Sequence, residues 1–572
     1  RLMAESTAPL QTPQKRILAR RNALWTERQS WDPQCQDIAD FLLPRAARFD
    51  ESQRNRNDAQ AYNNIIDECG TFAHGVLASG LMSGATSPAR PWFRMATPDR
   101  DLMEFAPVKQ WLEKVRTLML SIFGTSNTYR AFHSIYEQMG AFGVGTSIMV
   151  DNYKNVLHHF PQVFGRYAIG LDQWGAADTI YREMEKTVGQ LVDEFGRENC
   201  SNAVQRLYDQ SKFDSPVKVL HAVEPRRGRD YSKRDARNMP WTSCYLEMGR
   251  DNDKFLRESG FREFPAIAAR WIVDGDDTYA SRWPGAVALG SIKQLQQEQL
   301  QKSNAIDYQV DPPLQIPTAY KNSDIDRLPG GTMYVDSTGP GGGVRSAYEV
   351  NLNLHHLLAD IQDVRGRIDK SFYVPLFQML ANDQRSGITA REIAERHEEK
   401  LLMLGPVIER LHNEMLKPAI DITFAKIIAA GLLRPGSGLE PPKELGGQDL
   451  EVEFVSTLAQ AQRAVGVQAI DRLVGTIASV STIKPEVLDK LDGDQLIDAY
   501  ADMLGVDPSL IVADDQVAIV RKGRAQQAQM AQMAAAAAPM KDLAMAAKTA
   551  SEVEQNGATS MFSGYGIPGI AQ

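Results

Sequence analysis

The part of the chain that most restricts its fold lies between Pro284 and Lys370, where two helical patterns flank a segment that cannot be helical. The first, Pro284 to Asn304, carries Leu289, Ile292 and Leu295 on one face and then turns polar with Gln294, Gln296, Gln297, Gln299 and Gln301. The second, Tyr348 to Lys370, carries Val350, Leu354, Leu357, Ile361, Val364 and Ile368 at alternating spacings of three and four. Residues 308–344 between them (YQVDPPLQIPTAYKNSDIDRLPGGTMYVDSTGPGGGV) are broken by Pro and Gly into short strand-like pieces. Helices with a single apolar stripe are marginal alone, so this pair must be covered by one another and by neighbours. The order describes a stalk with a tip.

Upstream, apolar residues recur at helical spacing from Gln14 to Leu43, with Pro44 as the stop. Lys15, Arg16, Arg20, Arg21 and Arg28 stud that segment, which suggests a solvated face or a contact with DNA or an acidic neighbour. A helix is expected from Ala61 to Met82, with Ile65, Ile66, Cys69, Phe72, Val76, Leu77 and Leu81 facing a core, and two more over Pro107–Phe123 and Thr128–Phe142. After Gly145 the pattern changes to β-branched and aromatic runs (TSIMV, VLHHF, RYAIGL, DTIYREM, VKVLHAV, WTSCYLEM) with one helix at Val188–Phe195. PRRGRDYSKRDAR, from Pro225, reads as an exposed basic insertion.

Beyond the stalk, Leu376 to Ile388 reads as a flexible stretch containing Asn382, Asp383, Gln384 and Arg385. Thr389-Ala390-Arg391-Glu392 has capping-box form and opens a long helix that runs to Gly431. Pro406 and Pro418 inside it predict kinks, because each removes a ladder bond and clashes with the preceding turn. One strand, LEVEFV, and further helices follow. The segment Arg524–Ala550 holds twelve Ala and four Gln, a helix former without an apolar stripe, ordered only by packing on copies of itself.

The remaining features exclude classes. No GxxxxGK[ST] loop is present, which disfavours a packaging ATPase, and there is no HExxH and no GxSxG. GPGGGV at Gly339–Val344 lacks the Lys-Ser/Thr of a phosphate cradle and reads as a turn. His158-His159 and His355-His356 are adjacent pairs whose rings diverge, so neither chelates. Cys35, Cys69, Cys200 and Cys244 are scattered and read as reduced, buried thiols. No cofactor, no metal and no catalysis are expected. A net charge of −9 argues against a clamp on nucleic acid but suits a wall past which DNA slides without a deep electrostatic well. No run approaches the ~18–20 apolar residues of a membrane helix, and the N-terminal residues lack a signal-peptide core. A soluble chain, intracellular where it is made, is the expectation.

Five blocks then carry a resemblance: LASGLMSGATSPARPWFRM at Leu77–Met95, SNTYRAFHSIYEQMGAFGVGT at Ser126–Thr146, DTIYREME from Asp178, FREFPAIAARWIVDGDDTYASRWPGAVALGSIKQL at Phe261–Leu295, and TAREIAERHEEKLLMLGPVIERL at Thr389–Leu411. In this order, over roughly Arg20 to Ile470, the chain resembles the portal proteins of double-stranded DNA phages, and the podoviral head-to-tail connector family in particular. The basic loop and the Ala-rich tail lie outside the pattern.

The resemblance implies an α+β, mainly helical portal fold: a wing at 1–283, stem helices at 284–308 and 348–371, and a small α/β clip at 309–347. It implies a tunnel loop at 372–388, a kinked helix to the crown at 389–431, a wing strand and crown helices at 432–523, and an Ala-rich helix, a candidate barrel, with a loose tail at 524–572. It also implies a twelvefold homo-oligomeric ring at one capsid vertex of the virion, assembled in the host cytoplasm. Double-stranded DNA would pass through it, and capsid protein, tail adaptors and the packaging terminase would be its partners. Lys293, Lys302, Arg365, Arg367 and Lys370 on the stem, and Asn382, Asp383, Gln384 and Arg385 on the tunnel loop, become the candidates for facing the channel. The rivals are a collar or tail adaptor, which is usually shorter and lacks the stalk order, and a nonspecific DNA-binding protein, whose affinity would fall steeply with salt.

Overall fold

Proline decides how the chain begins. In a computed structural model, which describes residues 12–49, 62–99, 102, 105–233, 235–249, 254–311, 314–315, 345–346, 355–381, 404–434, 436, 438–445, 451–454 and scattered positions from 470 to 548, the first helical pattern is two helices and not one. Helix α1 (Pro13–Arg28) stops, and α2 (Asp32–Phe41) restarts behind Pro33, whose fixed φ suits a first turn. The expected helix from Ala61 begins later, as α3 (Cys69–Ala85), and Ile66 and Phe72 are exposed, not core residues. Strand β1 (Phe93–Ala96) follows, then α4 (Ala106–Thr125) and α5 (Thr128–Phe142), the latter two close to expectation.

The chain divides into two units, Arg1–Pro98 with Trp111–Leu488, and Asp99–Gln110 with Asp489–Gln572. In the second, residues 516–531 are helical and almost wholly exposed, Ile519, Val520 and Met530 included.

The β-rich region of the first unit forms two sheets. Strands β2 (Val144–Asn152) and β3 (Val156–Pro161) join β9 (Ala266–Arg270) in the order β3-β2-β9. Strands β4 (Tyr167–Leu171), β5 (Ala177–Thr187), β6 (Pro216–Pro225), β7 (Trp241–Glu247) and β8 (Arg257–Phe261) form an antiparallel meander in chain order. All six predicted strand runs fall on strands; β1, β8 and β9 were not anticipated. Alternation along the strands splits the meander's two faces. Tyr181, Leu220, Ala222 and Leu246 pack under Ile17 and Leu24 of α1. Val219, Tyr245 and Leu256 pack under helices α6 (Val188–Phe195) and α7 (Asn202–Asp209). Helix α6 starts with a reciprocal capping box between Thr187 and Gln190.

The basic face of α1 turns out to be structural. Arg16 pairs with Glu224 at 2.6 Å, Arg21 with Glu183, and Arg28 is buried against the Tyr167 carbonyl and Asp32. These arginines fasten the helix to the meander, so the expected solvated or DNA-facing stripe is largely consumed.

Three histidines are buried as neutral rings. His221 accepts from Arg182 Nε at 3.1 Å, lies 3.0 Å from Ser243 Oγ, and stacks on Tyr245 with centroids 4.0 Å apart. His74 Nε2 bonds the Glu137 carbonyl at 2.8 Å. His159 sits edge-on to Phe132, and neither of its ring nitrogens has a hydrogen-bond partner among the described residues. The His159 strand is pinned by Asn127, which donates to the His159 carbonyl (2.8 Å) and accepts from its amide (2.9 Å). His158 points the other way and is partly exposed, as the divergence of neighbours on a strand requires.

After β9 come α8 (Pro284–Val310), the strand pair β10 (Leu314–Gln315) and β11 (Arg345–Ser346), α9 (His355–Ser371) and α10 (Val374–Ala381). Helix α10 corrects the reading of 372–388 as loop from its start: Leu376 and Phe377 are apolar, and both are buried. Its seat explains Gly80, since a Cβ there would lie 2.2 Å from the Phe377 ring. Residues 404–411 (α11) are helical, His412–Leu416 form one wide π turn, and α12 (Lys417–Ala429) follows. The Lys417 amide reaches back five residues to the His412 carbonyl. That wider turn relieves the clash that Pro418 would otherwise make, so the anticipated irregularity takes this form. Helix α12 ends in a Schellman motif: Leu432 N bonds Ile427 O, Gly431 N bonds Ile428 O, and Gly431 has φ 76°. The capping box at Thr389 lies outside the described residues. Strand β12 (Glu451–Phe454) pairs antiparallel with β1, Phe93 opposite Phe454 and Ala96 opposite Glu451.

Candidate functional site

The stem hairpin is built where α8 and α9 share their apolar stripes. Ile292 and Leu295 are buried, as are Ile361, Val364 and Ile368. Gly70 at the start of α3 lets that helix approach α8 closely, for a Cβ there would stand 3.2 Å from the Ile292 side chain. The other end of the hairpin is different. Leu300, Ile306, Tyr308 and Val310 of α8 and Leu358 of α9 are 39–78% exposed, although each is large and apolar. Isolated apolar residues on a surface are ordinary, but here five lie on one helix pair, and Val287 at the start of α8 is exposed as well.

The glutamines that make α8 polar have a specific use. Gln296 Oε1 accepts from the amides of Ile66 (2.6 Å) and Asp67 (2.8 Å), and its Nε2 donates to the Asp67 carbonyl (2.9 Å). The Asp67 carboxylate takes Gln299 Nε2 at 2.7 Å, Arg365 Nη2 at 2.7 Å and the Cys69 amide at 2.9 Å. Burial by itself raises the Asp67 carboxyl, but the bonds from Arg365, Cys69 and Gln299 and the Arg365 charge outweigh it and hold the group below its ordinary value. One buried carboxylate thus clamps α8, α9 and the approach to α3 together. Sequence reasoning saw the glutamines only as a loss of stripe; their alignment with a lone Asp from a distant loop has no local signature.

Arg365→Ala should destabilise the chain by about 1–3 kcal/mol, because Asp67 keeps its amide donors but loses its charged one. Denaturant unfolding measures this; the loss should shrink when Asp67→Asn accompanies it, and strict additivity would contradict the clamp.

The candidate channel cations fall into three states. Lys293 is committed to Asp37 at 2.6 Å and lies 5.2 Å from the centre of the Phe41 ring. Arg365 is bound to Asp67, and Arg367 pairs with Asp363 one turn away at 3.2 Å. Lys302 is half-buried and Lys370 is exposed, and neither has an ion-pair partner among the described residues. Asn382, Asp383, Gln384 and Arg385 lie outside the described residues.

A second polar centre, unforeseen, joins the π turn to the sheet order β3-β2-β9. Glu414 Oε2 accepts from the Arg270 amide (2.9 Å) and Nε (3.2 Å), and Oε1 from Arg270 Nη2 (2.7 Å) and Arg410 Nη1 (2.9 Å). Arg270 Nη2 also donates to the Gly175 carbonyl at 2.7 Å, and its side chain is only 4% exposed. Arg270 closes β9 and Glu414 occupies the one non-α turn of its helix, so the pair fixes the angle at which that helix leaves the sheet.

No described helix is long and apolar enough to cross a membrane. Among known proteins, the chain is 52% identical over 558 residues to the "Probable portal protein" of Bordetella phage BPP-1, covering 97% of this chain and 99% of that one. It is 42% identical over 544 residues to the "Portal protein" of Salmonella phage epsilon15, covering 95% and 96%. Among solved structures, a chain in the neck of an empty gene transfer agent particle aligns at 13% identity with a TM-score of 0.33, covering 76% of this chain and 90% of that one. The family described as "Bacteriophage head to tail connecting protein" matches residues 14–512. The chain belongs to that family of bacteriophage head-to-tail connecting proteins.

Proposed function

We propose that the chain is one subunit of a ring-shaped portal at a single capsid vertex of the virion, through which double-stranded DNA is packaged, retained and ejected. The observation that supports this most directly is the far end of the stem hairpin. Leu300, Ile306, Tyr308, Val310 and Leu358 are large apolar residues that this chain's own described residues leave uncovered. Neighbouring copies in a closed ring would cover them at every subunit alike, which is what cyclic symmetry provides. On this reading residues 284–308 and 348–371 are the stem, 309–347 is the clip for tail adaptors, and 372–388 carries the tunnel loop from the end of α10. The helix through the π turn leads to the crown. The capsid protein and the packaging terminase would meet the ring from outside. The work is mechanical: the ring holds a gap of fixed size and weak affinity, and needs no reacting group.

Within the ring, Lys302 and Lys370, which have no ion-pair partner among the described residues, would be the stem cations left to meet phosphate, while Lys293 and Arg365 first serve Asp37 and Asp67 from outside the hairpin and Arg367 serves Asp363 within it. Native mass measurement with negative-stain imaging tests the reading. A closed ring of about twelve copies around an open channel is expected; a subunit that stays monomeric at high concentration and in the presence of its capsid protein overturns it. Arg385→Glu should leave that ring intact but change DNA retention, since the loop would then repel phosphate; unchanged packaging and leakage would remove Arg385 from the channel.

A further inference from the structure

Nothing in the stem reading uses the connection between β6 and β7, yet residues 225–237 hold five Arg and one Lys in a chain whose net charge is −9. It is not a slack insertion. Arg226 N bonds the Pro240 carbonyl at 2.7 Å, and the Arg226 side chain reaches the Met239 and Ser259 carbonyls and Glu258. Arg229 Nε donates to the Asn238 carbonyl at 2.8 Å, and the Asp230 amide reaches Asn238 Oδ1. Asn238 in turn bonds Asp235 through both its amide and its side chain. The loop therefore keeps its shape by polar bonds, with almost no apolar content.

That internal wiring consumes the loop's acidic groups. Asp230 accepts from the Ser232 amide and hydroxyl and pairs with Lys233 at 3.3 Å, and Asp235 is taken by Asn238. Arg227 and Arg237 are exposed and have no hydrogen bond or ion pair among the described residues. Between them in sequence stands Tyr231, 83% exposed, with the Arg229 guanidinium 4.9 Å from its ring centre. The exposed donors left uncommitted among the described residues of the loop thus include two guanidinium forks and a phenol hydroxyl.

We propose that this loop is a sequence-independent contact for the phosphate backbone of double-stranded DNA. Two kinds of partner could meet such a surface, a nucleic acid or an acidic protein. Protein interfaces place apolar and aromatic residues at their centre and deplete charge there. Here the exposed aromatic is Tyr231, with the Arg229 guanidinium over its ring. Interfaces with DNA are polar and strongly positive, and arginine, lysine and tyrosine hydroxyl donors go to phosphate oxygens. The fork of arginine also fits a phosphate bidentately. The proposal does not rest on the ring, because a single subunit already has the complete loop.

The test is a binding titration of the full-length free subunit with a fluorescent DNA duplex across salt, beside R227E/R237E. The parent should bind with a Kd below about 100 μM at about 50 mM salt, weakening with a log–log slope of about −1.8, as expected for Arg227 and Arg237 each displacing one counterion. The double variant should lose at least about tenfold in affinity and most of that slope, with an unchanged thermal melt; R227Q/R237Q serves if charge reversal impairs folding. No binding by the parent, or equal binding by a folded variant, overturns the proposal. A variant that keeps its DNA affinity but no longer associates with other copies would make the loop a subunit contact, and the proposal fails in that case too. Ring formation is read separately by native mass, so failure of the loop and failure of the portal reading are distinguishable.

Discussion

Glu414→Ala should lower the stability of the folded chain by about 3–5 kcal/mol, the loss typical of breaking a buried ion pair from one side. The carboxylate satisfies the amide and two guanidinium nitrogens of Arg270 and one nitrogen of Arg410. Alanine leaves a guanidinium only 4% exposed without its counter-charge, and leaves the last amide of β9 without an acceptor. Glu414→Gln should fall in between, because its carbonyl oxygen can still accept but carries no charge. Pairing Glu414→Ala with Arg270→Met should recover much of the loss, since no charge is then stranded. Denaturant midpoints decide this. A loss under about 1 kcal/mol for the single variant, or additivity in the double, would mean the pair is not the joint that its geometry describes.

Acidification should unfold the chain over the range where free histidine titrates and below it. Burial lowers the pKa of His74, of His159 and of His221, in each case as the largest cause. His158 and Lys426 add repulsion at His159, which is pushed down to about 3 from 6.5. At His221 the charges of Arg182, Arg257 and Lys186 act in the same direction. A folded pKa below the unfolded one means that the unfolded chain binds the proton more readily. The stability from these rings is therefore whole above about pH 6.5 and is lost as pH falls toward each folded value. Each ring still neutral in the fold subtracts about 1.4 kcal/mol per pH unit on the way down. Unfolding free energies at pH 7, 6 and 5 should fall steeply. His159→Phe, which removes two unpartnered buried nitrogens and keeps the edge-on contact with Phe132, should flatten that fall and raise stability at pH 7. An acid limb unchanged by this substitution would take His159 out of the account.

Sequence periodicity reached the elements whose pattern is local. The strands of the meander and helices α4, α5, α6, α8 and α9 are half-buried, so a period of two or about 3.6 stands out in each. It failed where tertiary contact overrules pattern. Ile66 and Phe72 look like core residues on a helical wheel, but the chain at Ile66 is bent around Gln296 ahead of α3, and Phe72 stands on the exposed side of α3. The arginines of α1 look solvated until Glu183 and Glu224 arrive from another part of the chain. Of the candidate site, the cations of the stem were legible as residue types, but not their commitments: nothing near Lys293 or Arg365 in sequence announces Asp37 or Asp67. Glu414 was invisible for the same reason, since its partner Arg270 is set in another element.

The pairing of β1 with β12 sets a timetable for synthesis. Phe93–Ala96 leave the ribosome early, and their partner Glu451–Phe454 emerges only when most of the chain has been made. Until then β1 has an unsatisfied edge beside the aromatic rings of Trp92, Phe93 and Phe123, the kind of edge that recruits other chains. Closing so long a loop is slow, as pairings distant in sequence are. A chain cut short before Glu451 should therefore accumulate as aggregate, and nascent chains held before that point should be the ones a chaperone binds.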